Sequence, residues 1–220
     1  MSTTVKLFIT KEASMGIGSL IIFVAMMLVA GVAATVVIQT MNSMQQQALE
    51  TGRETIRDIA NGIEVTHVSG KINGINITQM AIFVSPIVGS DAVDLSQSHI
   101  DLSDTDKKVI LYYDSNYFND SLSYGLFNTM DISGLDSSSY GIILIRDIDS
   151  SCSFTSPVIN NRDIVVLMIN TSACFGDGSP PSGMGTRTEV SGGVYPEVGV
   201  RGLIRFTTPP AYTGNIVDLQ

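Results

Sequence analysis

The 220-residue chain has no tryptophan, two cysteines and two histidines, and only 15% of its residues are charged. Each scarcity removes a class of function. His67 and His99 sit in no metal-ligand or nucleophile–base pattern. Cys152 and Cys174 fit no metal or redox spacing. No glycine-rich loop separates a strand-like run from a helix-like one, so a phosphate cradle is missing. The sequence therefore predicts no enzyme, no cofactor and no metal. Basic residues are scarce as well, 12 Lys plus Arg against 21 Asp plus Glu. A net charge of −9 has the wrong sign for neutralising phosphates, so no nucleic-acid partner is expected.

The most informative absence is local. Between Glu12 and Glu50 there is no charged residue, and the stretch includes "SMGIGSLIIFVAMMLVAGVAATVVIQT", Ser14 to Thr40. Its apolar centre, Leu20 to Ile38, exceeds the roughly 7–15 residues of a secretory signal. It nearly meets the roughly 20 residues of a membrane-spanning helix. The pattern then continues at spacings of three and four through Met41, Met44, Ala48, Gly52, Ile56, Ile59 and Ile63. Gln45, Gln46, Glu50, Arg53, Glu54, Arg57 and Asp58 fill the opposite face. These periods predict one helix from about Ser14 to about Gly62, roughly 70 Å long.

Ala30 and Ala34 are four apart, as are Gly31 and Thr35, so small residues line the flanks of that helix. Such spacing lets backbones approach closely, which drives helix association in lipid. Leu20, Ile21, Ile22, Phe23, Val24, Met27, Leu28, Ala30, Gly31 and Ala34 form the expected polymerisation core. Left in water, large apolar side chains cost ~1.5–3 kcal/mol each, tens in sum. Lipid or further copies of the chain must cover them. A simple membrane anchor is the blander reading.

From Val65 onward the rhythm changes to short β-like runs between Gly, Asn, Asp and Pro. Candidate strands are Ile75–Val84, Lys108–Tyr113, Tyr140–Arg146, Asp163–Ile169, Arg187–Tyr195, Val200–Thr207 and Ile216–Leu219. Their number and spacing predict an immunoglobulin-like β-sandwich or barrel, making the chain an α+β protein. "YGIILIRD" and "RDIVVLMIN" read as strands buried on both faces. The Gly/Pro/Ser-rich "FGDGSPPSGMGT" reads as an exposed loop. Asp91, Asp94, Asp101, Asp104 and Asp106 lack calcium-loop spacing and read as a solvated loop. Three sequons, at Asn76, Asn119 and Asn170, are glycosylation candidates if the chain is exported. Export also favours a Cys152–Cys174 disulfide, worth ~3 kcal/mol in the chain-entropy model, over two reduced thiols.

Both ends of the chain resemble the archaellins, the archaeal flagellins. The resemblance lies in "KEASMGIGSLIIFVAMMLVAGVAATVVIQT" at the start and "RTEVSGGVYPEVGVRGLIRFTTPPAYTGNIVDLQ" at the end. "YGIILIRDIDSSCSF" with "PVINNRDIVVLMIN" fits the family's middle, and Ile87 to Ser139 is left as a variable region. The resemblance implies a subunit of the extracellular archaeal flagellum (archaellum) filament used for swimming. It implies a leader, 1–13, cut between Ala13 and Ser14 by a membrane peptidase. The helix, 14–62, would wait in the membrane as a precursor. Assembly machinery would then pass it into a helical homopolymer with the β-domain, 63–220, at the surface. An adhesive type IV pilus subunit is the nearest alternative, but those pilins carry Glu at the fifth mature position, where this chain has Gly18. A membrane-anchored β-domain that binds sugars or a surface layer is the third reading. It would need an aromatic platform, and the chain has no tryptophan.

Overall fold

The computed structural model describes residues 3–176 and 182–220, with side chains from Gly16 onward. The expected cut at Ala13–Ser14 lies outside the described side chains, and the centre of the Gly/Pro/Ser loop outside the described residues. The chain divides into two compact units, 1–54 and 55–220.

Helix α1 runs from Thr3 to Ala60. No proline precedes Pro86, and Ala, Leu, Met and Gln recur, so nothing in the segment interrupts a helix. The end is set by tertiary packing. Asn61 N–H still donates to Arg57 O (2.9 Å). At Gly62, however, a Cβ would stand 2.6 Å from the Val200 carbonyl oxygen. Only glycine lets the chain pass so close to another backbone. The expected helical stripe therefore stops short: Ile63 is 1% exposed and begins a strand instead of continuing the apolar face.

Among the described residues, the second unit holds eleven strands. They are β1 (Ile63–Asn73), β2 (Asn76–Pro86), β3 (Val93–Asp94), β4 (His99–Ser103), β5 (Lys108–Asn119) and β6 (Ser139–Arg146). Next come β7 (Val158–Ile159), β8 (Ile164–Asn170), the short helix α2 (Thr171–Phe175), β9 (Glu189–Tyr195), β10 (Gly202–Thr207) and β11 (Ile216–Asp218). Nine strands form one sheet in the order β10-β9-β4-β5-β6-β8-β2-β1-β11, and β3 pairs with β7 apart from it. Neighbours in the large sheet are antiparallel except β5 and β6.

The immunoglobulin-like β-sandwich or barrel expected from the strand count is realised as a single curled sheet. The curl brings the β10 edge back to β1. Ile63 N–H donates to Val200 O (3.0 Å) at one end of this seam. At the other, Gln220 bridges the edges: Oε1 accepts Arg205 N–H (2.8 Å) and the amide donates to Leu203 O (3.2 Å). The Gln220 carbonyl meanwhile accepts Val68 N–H (3.0 Å).

Each of the seven candidate runs overlaps a strand, although β2 and β5 extend past the expected ends at Val84 and Tyr113. The inner face carries Ile82, Ile100, Leu102, Leu111, Ile142, Leu167 and Ile204, all buried. β10 shows the alternation of a one-sided strand: Gly202, Ile204 and Phe206 are buried, while Leu203, Arg205 and Thr207 are exposed. β6 and β8 are instead buried continuously over Tyr140–Ile143 and Val165–Ile169. The reason is a second layer. Phe127, Ile132 and Leu135, from the excursion between β5 and β6, pack over Ala81, Ile143, Val166 and Met168 on the outer face.

Candidate polymerisation helix

Every side chain of α1 from Gly16 to Ala60 is exposed. The ten sequence-predicted core residues all lie on this helix and all face outward, including Phe23 at 61% and Leu28 at 66% exposure. At the small positions the space is open: a Cβ on Gly31 would meet nothing within 4 Å. The segment is long and apolar enough to cross a membrane.

Three hydroxyls of its apolar part bond back to the helix. Ser19 donates to Gly16 O (2.9 Å), Thr35 to Val32 O (2.8 Å) and Thr40 to Val36 O (2.9 Å). A hydroxyl without a partner is costly in an apolar environment, and back-bonding to the helix removes that cost. Ser19, Thr35 and Thr40 therefore need no partner outside the helix.

The last turn of α1 is tied into the β-domain. Asn61 Oδ1 accepts Asp91 N–H (2.9 Å), its carbonyl accepts Val200 N–H (2.8 Å), and Gly62 O accepts Ile87 N–H (3.0 Å). Gly199 lies at φ +104°, and a Cβ there would reach within 2.2 Å of Asn61 O. Arg57 pairs with Asp91 at 3.1 Å, but both are exposed, so the ion pair adds ~0–1 kcal/mol and the backbone bonds carry the junction.

The other sequence candidates fall apart or regroup. The Asp91–Asp106 acids do not converge: Asp91 meets Arg57, Asp101 meets Lys108 (3.1 Å), and Asp94 and Asp104 accept their own loops' N–H groups. Three other carboxylates, those of Asp147, Asp149 and Asp163, come within 4.8 Å of one another. Backbone donors crowd them. Asp147 Oδ1 accepts Ser150 N–H (2.8 Å) and Oδ2 accepts Cys152 N–H (3.0 Å), while buried Asp163 accepts Asn160 N–H (2.9 Å). Hydrogen bonds to the Ser151 and Asn160 side chains hold the Asp149 carboxyl below its usual range. Sequence reading missed this triad because Asp163 is distant in the chain; the "DID" spacing at 147–149 was its one visible sign.

The expected disulfide is not formed. Cys152 and Cys174 are both free and buried. Cys152 sits in the Asp147 loop, whereas Cys174 lies on α2 with Sγ 3.9 Å from Ser137 O. Burial pushes both thiols up to about 12, with Asp147 and Asp163 adding to the effect at Cys152.

The three sequons also differ. Asn119 donates to Thr129 O (3.2 Å), and Asn170 donates to Leu135 O (3.2 Å) while capping α2 through Ala173 N–H. Asn76, at the β1–β2 turn, has no side-chain hydrogen bond among the described residues and borders an open cleft with Ile75, Pro210 and Tyr212.

A surface-exposed apolar helix ahead of a curled sheet narrows the comparison with known proteins. The profile of the archaeal-type flagellin family matches residues 13–206. The chain belongs to the archaeal-type flagellin family. It is 42% identical to flagellin B2 of Methanocaldococcus jannaschii over 214 residues, covering 96% of each chain. To flagellin B1 of Methanococcus voltae the identity is 37% over 218 residues, again with 96% of each covered. The crystal structure of archaeal flagellin FlaB1 from M. jannaschii superposes with a TM-score of 0.64 at 33% identity. That match covers 73% of this flagellin and 98% of the other chain. A chain from the archaeal flagellum of Methanospirillum hungatei shares the fold at 12% identity, with a TM-score of 0.60 over 92% of this chain and 98% of that one. This flagellin is a structural protein, not an enzyme.

Proposed function

We infer that this flagellin is the structural subunit of an archaeal flagellum filament, an extracellular homopolymer of its own copies that serves motility. One observation carries the reading beyond the family: the helix from Gly16 to Ala60 is exposed throughout, over a length that water alone would penalise heavily. Copies of the same helix can cover it, with Ala30, Gly31 and Ala34 allowing close approach. The β-domains, which carry most of the acid, then face solvent.

Before assembly the helix resides in the membrane as a precursor. A membrane peptidase cuts between Ala13 and Ser14, releasing leader 1–13 from helix 14–62, and assembly machinery moves the mature subunit into the filament. Of the three sequons, Asn76 is the glycan acceptor, since its amide is uncommitted while those of Asn119 and Asn170 hold the fold.

Negative-stain microscopy of cells making the chain tests the filament, with mass spectrometry of the shed material. Filaments whose subunits start at Ser14 are expected. Their absence, with the chain retained as membrane monomer, would return the simple-anchor reading.

A further inference from the structure

The outer face of the sheet carries two unlike patches. Across β4, β9 and β10 lies a depression of about 370 Å³ lined by Lys108, Arg201 and Arg205 together with Asp101, Tyr195 and Leu203. The depression reaches the backbone at Gly192, and Gly193, in register with Asp101 and Leu203, adds no side chain to that face. Arg201 lies 5.3 Å from the Tyr195 ring centroid. Asp101 borders the depression through Oδ2, which pairs with Lys108 at 3.1 Å, while its Oδ1 is buried beneath the surface. Three of the domain's few cations thus gather in one hollow of a chain with a net charge of −9, Lys108 beside Asp101 and Arg205 beside the exposed Glu189 (each 3.1 Å).

The other patch is the excursion between β5 and β6. Residues 109–145 contain no Lys or Arg but carry Asp114, Asp120, Asp131 and Asp136, with Asp120, Asp131 and Asp136 exposed. Its tip presents Leu122 and Tyr124, the latter 93% exposed. Tyr124 is held at φ +57°, a left-handed conformation that a bulky residue adopts rarely and at a cost. Thr129 fixes that turn: its hydroxyl accepts Ser123 N–H (3.0 Å) and lies within hydrogen-bond reach of the carbonyls of Ser123 and Gly125. A strained turn that presents an aromatic ring to solvent gains nothing inside the subunit.

We propose that in the filament the 120–138 excursion of one subunit docks into the Arg201–Arg205–Lys108 depression of the next. Tyr124 anchors over Leu203, and the acids face the three cations. A helical polymer requires head-to-tail contact between two different surfaces of one chain, and these two are complementary in charge. Tyr and Arg are also the residues in which interface energy concentrates. The proposal rests on the filament reading.

Filaments of the full chain carrying Tyr124→Cys with Leu203→Cys, oxidised and run denatured, test it. A ladder of covalent multimers is expected from the double variant and monomer from either single variant. Filaments of the double variant that stay monomeric overturn the contact alone. An unmutated chain that never forms filaments overturns the filament reading and this contact with it. Charge reversal gives a second readout that needs no cysteine. Arg201→Glu with Arg205→Glu should lower filament yield at least tenfold, and adding Asp131→Lys with Asp136→Lys should recover most of it. Unchanged yield on the first reversal, or no recovery on the second, also overturns the contact.

Discussion

The two units of the chain spend their apolar residues in opposite ways. In 16–54 every side chain points into solvent, whereas in the β-domain Ile82, Ile142 and Leu167 are wholly enclosed. The domain folds on its own side chains; the helix leaves its own exposed. Apolar content alone does not distinguish these uses. What differs is whether the topology supplies a second layer: β6 and β8 receive one from Phe127, Ile132 and Leu135, and α1 receives none within its own unit.

That contrast can be broken most severely at the helix. Ala34→Asp or Val24→Asp places a carboxylate where a desolvated bundle offers no partner, costing several kcal/mol per subunit. Filaments should vanish in electron micrographs, while the thermal unfolding of the detergent-solubilised chain stays as in wild type. The mirror experiment is Leu167→Ala. Truncation in the inner face should cost about 2–5 kcal/mol, read as a lower denaturation midpoint of the domain. At the junction, Gly62→Val drives a branched side chain into the Val200 carbonyl, and a loss of about 1–3 kcal/mol is expected by the same measurement.

Smaller effects sharpen the contrast. Tyr140→Phe removes the buried hydroxyl that donates to Leu95 O (2.9 Å) and should cost about 0.5–1.5 kcal/mol. The thiols give a readout without mutation. Their ionisation lies near 12, so at pH 8 the reactive thiolate is a minute fraction, and Cys152 and Cys174 should resist alkylation until the domain is unfolded. As pH rises toward that value both would begin to label. Mass shifts after timed iodoacetamide treatment check this, and rapid labelling of the folded chain at pH 8 would contradict the burial.

The helix was legible because one period dominates it from Leu20 to Ile59, with no proline to interrupt. The runs "YGIILIR" and "IVVLMI" were legible because strands covered on both faces need no alternation. β1 was not, since register shifts at Val65/His67 and Lys71/Ile72 scramble its inside–outside order. β4 was not, because "HIDLS" offers only Ile100 and Leu102 among acids that read as loop. The end of α1 and the fate of Ile63 depend on Val200, which no local pattern reveals. The disulfide expectation failed for a similar reason: two cysteines in an exported chain specify a chemistry, but the fold lodges each thiol in its own buried setting.

The pairing of β1 with β11 sets an order of events in the life of the chain. Lys71 opposes Ile216, so the ladder joins residues about 145 positions apart, and Gln220 completes the seam beside it. Synthesis at roughly 5–20 residues per second leaves about seven to thirty seconds between the emergence of those two strands. Throughout that delay the greasy helix is already outside the ribosome, while the sheet lacks its closing edge. On the proposed membrane route, insertion of the helix would therefore have a head start over completion of the sheet. A chain tethered by the first segment made would then complete its slow, long-range pairing at the membrane surface instead of free in solution.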